Sequence, residues 1–200
     1  MPKKVNVVIF DFDGTLSAGD ANYEFGKYCF RHSLRAWLFL PLTVFAMSFR
    51  YIAPNAAWWR QIGRRFINAK MVKRLAPDFI KQHKLSRFGW AAERVSDERA
   101  AGNVVILISA SPNYLLRPLV ADMGFDYVIC SEMYTQYPWK YHFLCYNKNK
   151  VVAFNKWAKK NKITPIVVRS YSDSKSDMPI MELATEQVWI DRKTGGRIEK

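Results

Sequence analysis

Residues 5–15 read Val5-Asn6-Val7-Val8-Ile9-Phe10-Asp11-Phe12-Asp13-Gly14-Thr15, an almost unbroken apolar, β-branched run that stops abruptly on acids and a glycine. A strand buried on both faces has this composition. The same pattern recurs further along the chain. Residues 104–108 (Val-Val-Ile-Leu-Ile) run into Ser109-Ala110-Ser111-Pro112, and Ile166-Val167-Val168 lead through Ser170-Tyr171-Ser172 to Asp173 and Asp177. Shorter strands are expected at 127–130 and 187–190, with an aromatic hairpin over 132–147. Helices are expected from Pro112 to about Met123, stopped by Gly124, over 150–160, and over 178–183. Between residues 22 and 100 apolar residues recur at threes and fours, punctuated by Pro41, Pro54 and Pro77, which reads as a helical block. Strands alternating with helices, with that block inserted after the first strand, imply an α/β fold. Its Rossmann-like parallel-sheet core would span residues 1–15 and 101–200, and residues 16–100 would form a helical cap.

Composition narrows the function. The 200 residues hold 31 Lys and Arg against 17 Asp and Glu, a formal charge of +14, and half are apolar. That suffices for a packed core and excludes a disordered chain. Three scattered cysteines, Cys29, Cys130 and Cys145, suit a reduced, cytoplasmic protein rather than a disulfide scaffold, and no secretory leader is expected ahead of Asp11. Residues 16–100 carry fifteen basic and six acidic residues, nine of the fourteen net charges. Such a field draws anions: a phosphorylated substrate, a lipid headgroup or nucleic acid. A nucleic-acid module would explain the charge but not acids at several strand ends, so no nucleic acid is expected. Oligomeric state is not legible.

In an open parallel sheet the ligand crevice lies at the C-terminal strand ends. Asp11, Asp13, Asp173, Asp177 and Ser109 therefore converge on one edge. Carboxylates brought together repel unless a cation offsets them, and hard oxygen donors favour Mg2+ over zinc. Cys130, His142 and Cys145 lack a recognised zinc spacing and a fourth ligand. His32 and His83 have no motif around them and read as cap residues.

Asp11-Phe12-Asp13-Gly14-Thr15-Leu16 resembles the DxDGT signature of the haloacid dehalogenase superfamily of phosphatases. Ser109, Lys150 and the stretch Tyr171-Ser172-Asp173-Ser174-Lys175-Ser176-Asp177 resemble its second, third and fourth motifs, in order. The Ser-Ala-Ser-Pro and Tyr-Ser-Asp-Ser wording is similar to the phosphoserine phosphatase branch, whose helical C1 cap is inserted where residues 16–100 lie. The resemblance implies a Mg2+-dependent phosphomonoesterase with Asp11 as nucleophile and Asp13 as acid and base. It also implies Mg2+ on Asp11, Asp173 and the Asp13 carbonyl, with Asp177 in support, and Ser109 and Lys150 on the phosphoryl oxygens. Lys148 is the rival to Lys150. Ser172, Ser174 and Ser176 depart from the Gly, Gly and Asn usual in that branch. Asp20 falls where phosphoserine phosphatases carry a Glu that meets the substrate amine, and it reads equally as a helix N-cap; Asn113 is the other substrate-side candidate.

Residues 36–49 (AWLFLPLTVFAMSF) are uncharged and flanked by Arg35 and Arg50. As a helix they reach about 21 Å, short of the ~30 Å hydrocarbon core. They are either a buried cap helix or an interfacial segment touching anionic phospholipid at the inner face of the cytoplasmic membrane. With this segment the chain is similar to the phosphatidylglycerophosphatase C family, which implies a lipid-phosphate substrate; a small phosphoserine-like phosphomonoester is the alternative.

Overall fold

The first apolar run forms strand β1 (Lys3–Phe10), whose side chains alternate between two cores. Val8 and Phe10 face one side of the sheet, Val7 and Ile9 the other, as the two-residue period of a strand requires. The computed structural model describes residues 3–49, 51–53 and 57–198. Arg50 and Pro54, which the sequence reading used as a flank and a breaker, lie outside the described residues.

Strands β2 (Val104–Pro112), β3 (Tyr127–Met133), β4 (Tyr141–Phe143), β5 (Ile163–Ser172), β6 (Glu186–Ile190) and β7 (Arg197–Ile198) join β1 in one sheet. The order is β4-β3-β2-β1-β5-β6-β7, with the five central strands parallel and β4 and β7 antiparallel at the edges. The winding direction reverses at β1, so a crevice opens at the ends of β2, β1 and β5. Phe10 pairs with Tyr171 in register and stacks on it with ring centroids 4.2 Å apart. Such a pair adds roughly 0.5–1.5 kcal/mol beyond burial and fixes the β1–β5 register just before the acids.

Helices α1 (Ala21–His32), α2 (Leu34–Leu38), α3 (Leu40–Ser48), α4 (Ala57–Ile62), α5 (Ala69–His83) and α6 (Ala91–Ala100) follow β1. Phe25, Cys29, Met71, Leu75 and Phe79 of α1 and α5 share one apolar core with Val8 and Phe10 of the sheet. Glu98 of α6, 3% exposed, bonds to Arg169 and to the Tyr171 hydroxyl of β5. That helix also packs on the sheet, with Ala91 and Val95 in the same core as Val8 and Phe10. Pro77, expected as a breaker, sits inside α5, which continues because its apolar face stays packed.

Helices α7 (Asn113–Leu119), α8 (Lys148–Lys160) and α9 (Met178–Met181) complete the layers. Helix α7 stops short of Met123, with Pro112 as its N-cap rather than in its first turn. Helix α8 starts two residues before the expected Lys150, capped by Asn147 accepting from the Lys148 N–H. Its buried stripe is Lys150, Phe154, Trp157 and Ala158, spaced at four, three and one. The uncharged segment 36–49 is not one helix: it breaks at Phe39 between α2 and α3, where Pro41 suits the first turn of α3. Strand β7 was not expected from the sequence.

Candidate active site

A tight turn ends β1. Gly14 adopts φ +80°, and its N–H donates to the Ser17 carbonyl while the Thr15 and Leu16 N–H groups donate to the Phe12 carbonyl. Phe12 is fully buried beneath, so the turn presents Asp11 and Asp13 on the same side. A side chain at Gly14 would collide with the Asp173 carboxylate and Arg192, which shows how closely the β1 and β5 loops approach.

Lys150 lies between two acids. Its Nζ donates to Asp11 Oδ1 at 2.8 Å and to Asp177 Oδ2 at 2.7 Å, and all three side chains are at most 10% exposed. Burial disfavours its charge, but Asp11 and Asp177 outweigh that and raise its pKa. Lys148 points to solvent. Thr15 Oγ1 reaches Asp173 Oδ1 at 3.3 Å and Asp11 Oδ2 at 3.5 Å, and accepts from the Asp173 N–H at 3.0 Å, tying the two loops together. Arg192 Nε is 2.9 Å from Asp173 Oδ2. Ser172 Oγ donates to Asp177 at 2.9 Å.

Asp13 sits where the cap meets the sheet. Its Oδ1 accepts from the Ala21 N–H at 2.7 Å, and its Oδ2 accepts from Ser111 Oγ at 2.5 Å, with Ser109 Oγ farther at 3.5 Å. Burial, then Asp20 and Asp11, push its pKa up to about 8. Asp11 is pushed up to about 7 by burial, against the pull of Lys150. Burial also raises Asp173, with Arg192 opposing. Of the two, Asp13 holds its proton more firmly and is suited to give it away, while Asp11, clamped by the lysine, is the better placed to attack once ionised.

The structure thus gathers Asp11, Asp13, Ser109, Lys150, Asp173 and Asp177 at one edge. Asp20 caps α1 by accepting from the Tyr23 N–H at 2.8 Å. Asn113 is turned to Glu132, donating to it at 2.7 Å. Thr15, Ser111 and Arg192 were not singled out from the sequence, and Ser172 was noted only as a departure from the usual Gly; Thr15 and Ser111 sit inside the quoted motifs, whereas nothing local marks Arg192. Arg64, just after α4, donates to the hydroxyls of Tyr114 and Tyr141 at 2.9 Å each, fastening the inserted helical block to α7 and β4. Cys130 and Cys145 are buried thiols pushed up to about 12, and His142 packs against Tyr134 on the hairpin. His32 is exposed, and His83 is buried against Glu24.

Among the described residues no three His, Cys, Asp or Glu side chains are arranged to hold a metal ion by themselves. Mg2+ needs less: one or two carboxylates, with water and substrate oxygens completing the shell. Asp11 and Asp173, both within reach of the Thr15 hydroxyl and both raised in pKa by burial, fit that requirement. With the Asp13 carbonyl, which the family resemblance adds, they would supply hard oxygen donors only.

Acids at the ends of adjacent parallel strands, a buried lysine between two of them and a helical insertion after the first strand define a phosphatase of a known kind. The chain belongs to the haloacid dehalogenase-like hydrolase family, matched over residues 8–182. It is 21% identical over 208 residues to the histidinol-phosphatase of Neisseria meningitidis serogroup C (strain 8013), covering 93% of this chain and 90% of that one. A protein of unknown function from Bordetella pertussis Tohama I superposes with TM-score 0.78 at 19% identity, covering 94% and 91% of the two chains. A phosphoserine phosphatase solved as a phospho-aspartyl intermediate analogue gives 0.66 at 17% identity, covering 94% and 87%. None of these three names points to a lipid phosphate.

Proposed function

We propose that this chain is a Mg2+-assisted phosphomonoesterase working through an aspartyl-phosphate on Asp11. The observation that carries the reading is the grouping of Asp11, Asp13 and Asp173 around Thr15 and Lys150. Asp11 Oδ1 is held by Lys150, which leaves Oδ2 the less engaged oxygen for attack on phosphorus. As the phosphorus–oxygen ester bond breaks, Asp13 gives its proton to the leaving alkoxide. It then takes a proton from the water that cleaves the aspartyl-phosphate, releasing phosphate and restoring Asp11. Lys150 and Ser109 offset and orient the phosphoryl oxygens, and Ser111 holds the Asp13 carboxyl in place. A Mg2+ ion bound by Asp11, Asp173 and the Asp13 carbonyl would neutralise the repulsion between carboxylate and phosphoryl group. Residues 16–100 act as the cap that excludes water, and Asp20 steadies α1 above the site.

The names of the relatives favour a small phosphomonoester. Lipid phosphate is the second reading, favoured by the exposed apolar side chains of α2 and α3. Phosphate release from small phosphomonoesters and from lipid phosphates in mixed micelles, with Mg2+ and with chelator, separates the two. Asp11→Asn is expected to keep its fold by circular dichroism and lose turnover; a folded variant that still turns over substantially would exclude covalent catalysis at Asp11.

A further inference from the structure

Helices α2 and α3 turn apolar surface to solvent. Phe39 (φ −94°, ψ 0°) breaks the chain into two helices, and both leave large apolar side chains exposed. The exposed apolar positions along them are Leu34, Trp37, Leu38, Pro41, Val44 and Phe45, with Arg35 and Ser48 exposed as well. Helix α3 is apolar all round rather than amphipathic, the composition of a helix that is ordinarily buried. Here the inward positions are the smaller Ala36, Thr43 and Ala46. Leu34 and Leu38 are 85% and 80% exposed, and Val44 and Phe45 60% each. Scattered surface leucines are ordinary, but a cluster of exposed apolar side chains marks a contact surface.

Charge identifies what this surface meets. From residue 25 to residue 77 the chain contains no Asp or Glu, and those 53 residues carry ten Lys and Arg. Arg31 and Arg35 are exposed; Arg35 donates its Nε–H to the Phe66 carbonyl and lies over the Phe39 ring, so its terminal nitrogens are what it offers outward. A second copy of this chain would bring the same cations against them, whereas an anionic bilayer offers negative headgroups and apolar depth together. The polar atoms are already satisfied for such a setting. Trp37 Nε1–H donates to the Phe30 carbonyl at 2.8 Å, and Thr43 Oγ1 to the Phe39 and Gly63 carbonyls at 3.0 and 3.1 Å. No helix among the described residues is long and apolar enough to cross a membrane, so the contact is one of lying on the surface.

We propose that the outward face of α2 and α3 seats this enzyme on an anionic lipid surface, with the helices in the headgroup plane and Arg31 and Arg35 toward the phosphates. The inference holds whether the substrate is a lipid or a small molecule, and its test is read without turnover. The full chain is sedimented with vesicles of phosphatidylcholine alone and of phosphatidylcholine with 30% phosphatidylglycerol, at low and high salt. Wild type is expected to pellet with the anionic vesicles, at least ten-fold more than with neutral ones, and to be partly released by salt. Leu38→Ser with Phe45→Ser is expected to lose at least ten-fold in binding, while Val152→Ser, an exposed apolar position on α8, leaves it unchanged. Turnover of a small soluble phosphomonoester, retained in all variants, reports that each is folded. If the double variant unfolds, binding of Arg31→Gln with Arg35→Gln decides instead, a ten-fold loss being expected. Wild type that ignores anionic vesicles, binds neutral ones equally well, or elutes as a dimer that Leu38→Ser with Phe45→Ser makes monomeric would overturn the proposal.

Discussion

Replacing Lys150 by Met removes the one cation held between Asp11 and Asp177 and leaves two carboxylates in a site from which water is excluded. Breaking a buried pair this way costs about 3–5 kcal/mol, because the stranded charge has no solvent to return to. In a chain of this size each kcal/mol moves the melting temperature by about 2–4 °C, so a fall of roughly 6–20 °C is expected. The loss has a pH signature. Asp11 already sits near 7 with Lys150 in place; without the lysine it rises further, so the variant's native state binds protons that its unfolded state does not. Stability of the variant relative to wild type therefore recovers as pH falls from 8 to 5.5, and adding Asp177→Asn recovers part of it at any pH. Turnover is expected to drop by about 10²–10³, the scale of losing one group that stabilises transition-state charge. Melting followed by circular dichroism at pH 8.0, 7.0 and 5.5, with the exposed Lys148→Met as control, reads all of this. A Lys150→Met protein melting within 2 °C of wild type at pH 8, or a Lys148→Met protein falling as far, would refute the assignment of the buried lysine.

Gly14→Ala strains a φ of +80° and drives a methyl group into the Asp173 carboxylate; the left-handed backbone alone costs about 1–2 kcal/mol, and turnover should suffer more than melting temperature. His83 is buried, and burial lowers its pKa despite Glu24. Its folded pKa thus lies below the unfolded value, and stability should fall as pH drops below about 6.5; urea midpoints at pH 7.5 and 5.5 should diverge less in His83→Gln than in wild type. Arg192 is a cation beside an expected metal ligand, so Arg192→Gln should lower the Mg2+ concentration for half-maximal thermal stabilisation by a few-fold, a small effect because the guanidinium is half exposed. An unchanged or higher midpoint would remove Arg192 from the ion's surroundings.

The sheet was legible because β1, β2 and β5 are buried on both faces and so read as unbroken β-branched runs ending in polar turns. The carboxylates were legible for the same reason, since strand ends at the centre of a parallel sheet have only one place to go. Lys148 and Lys150 stayed rivals in the sequence; the structure separates them, with Lys150 four residues before Phe154 on the buried stripe and Lys148 exposed. Arg192 and Arg64 could not be found from the sequence: their partners, Asp173 and the Tyr114 and Tyr141 hydroxyls, are brought to them by tertiary contact between loops of no fixed period. The sequence also left open which way residues 36–49 face, because an apolar segment reads the same whether it is turned to a core or to solvent.

If residues 16–100 act as the proposed cap and open for substrate, the hydrogen bond from Ala21 to Asp13 joins the two parts that separate. With the cap closed, the loss of water around Asp13 raises its proton affinity more than the Ala21 N–H bond lowers it. Lifting α1 restores water and withdraws that bond, and the larger of the two changes returns Asp13 toward an ordinary, ionised carboxyl. The enzyme at rest and open would then hold no proton to donate; it would acquire one on closing over a phosphate ester. Closure is in this sense a cocking stroke, so that substrate analogues that fill the crevice should draw a proton from the buffer as they bind.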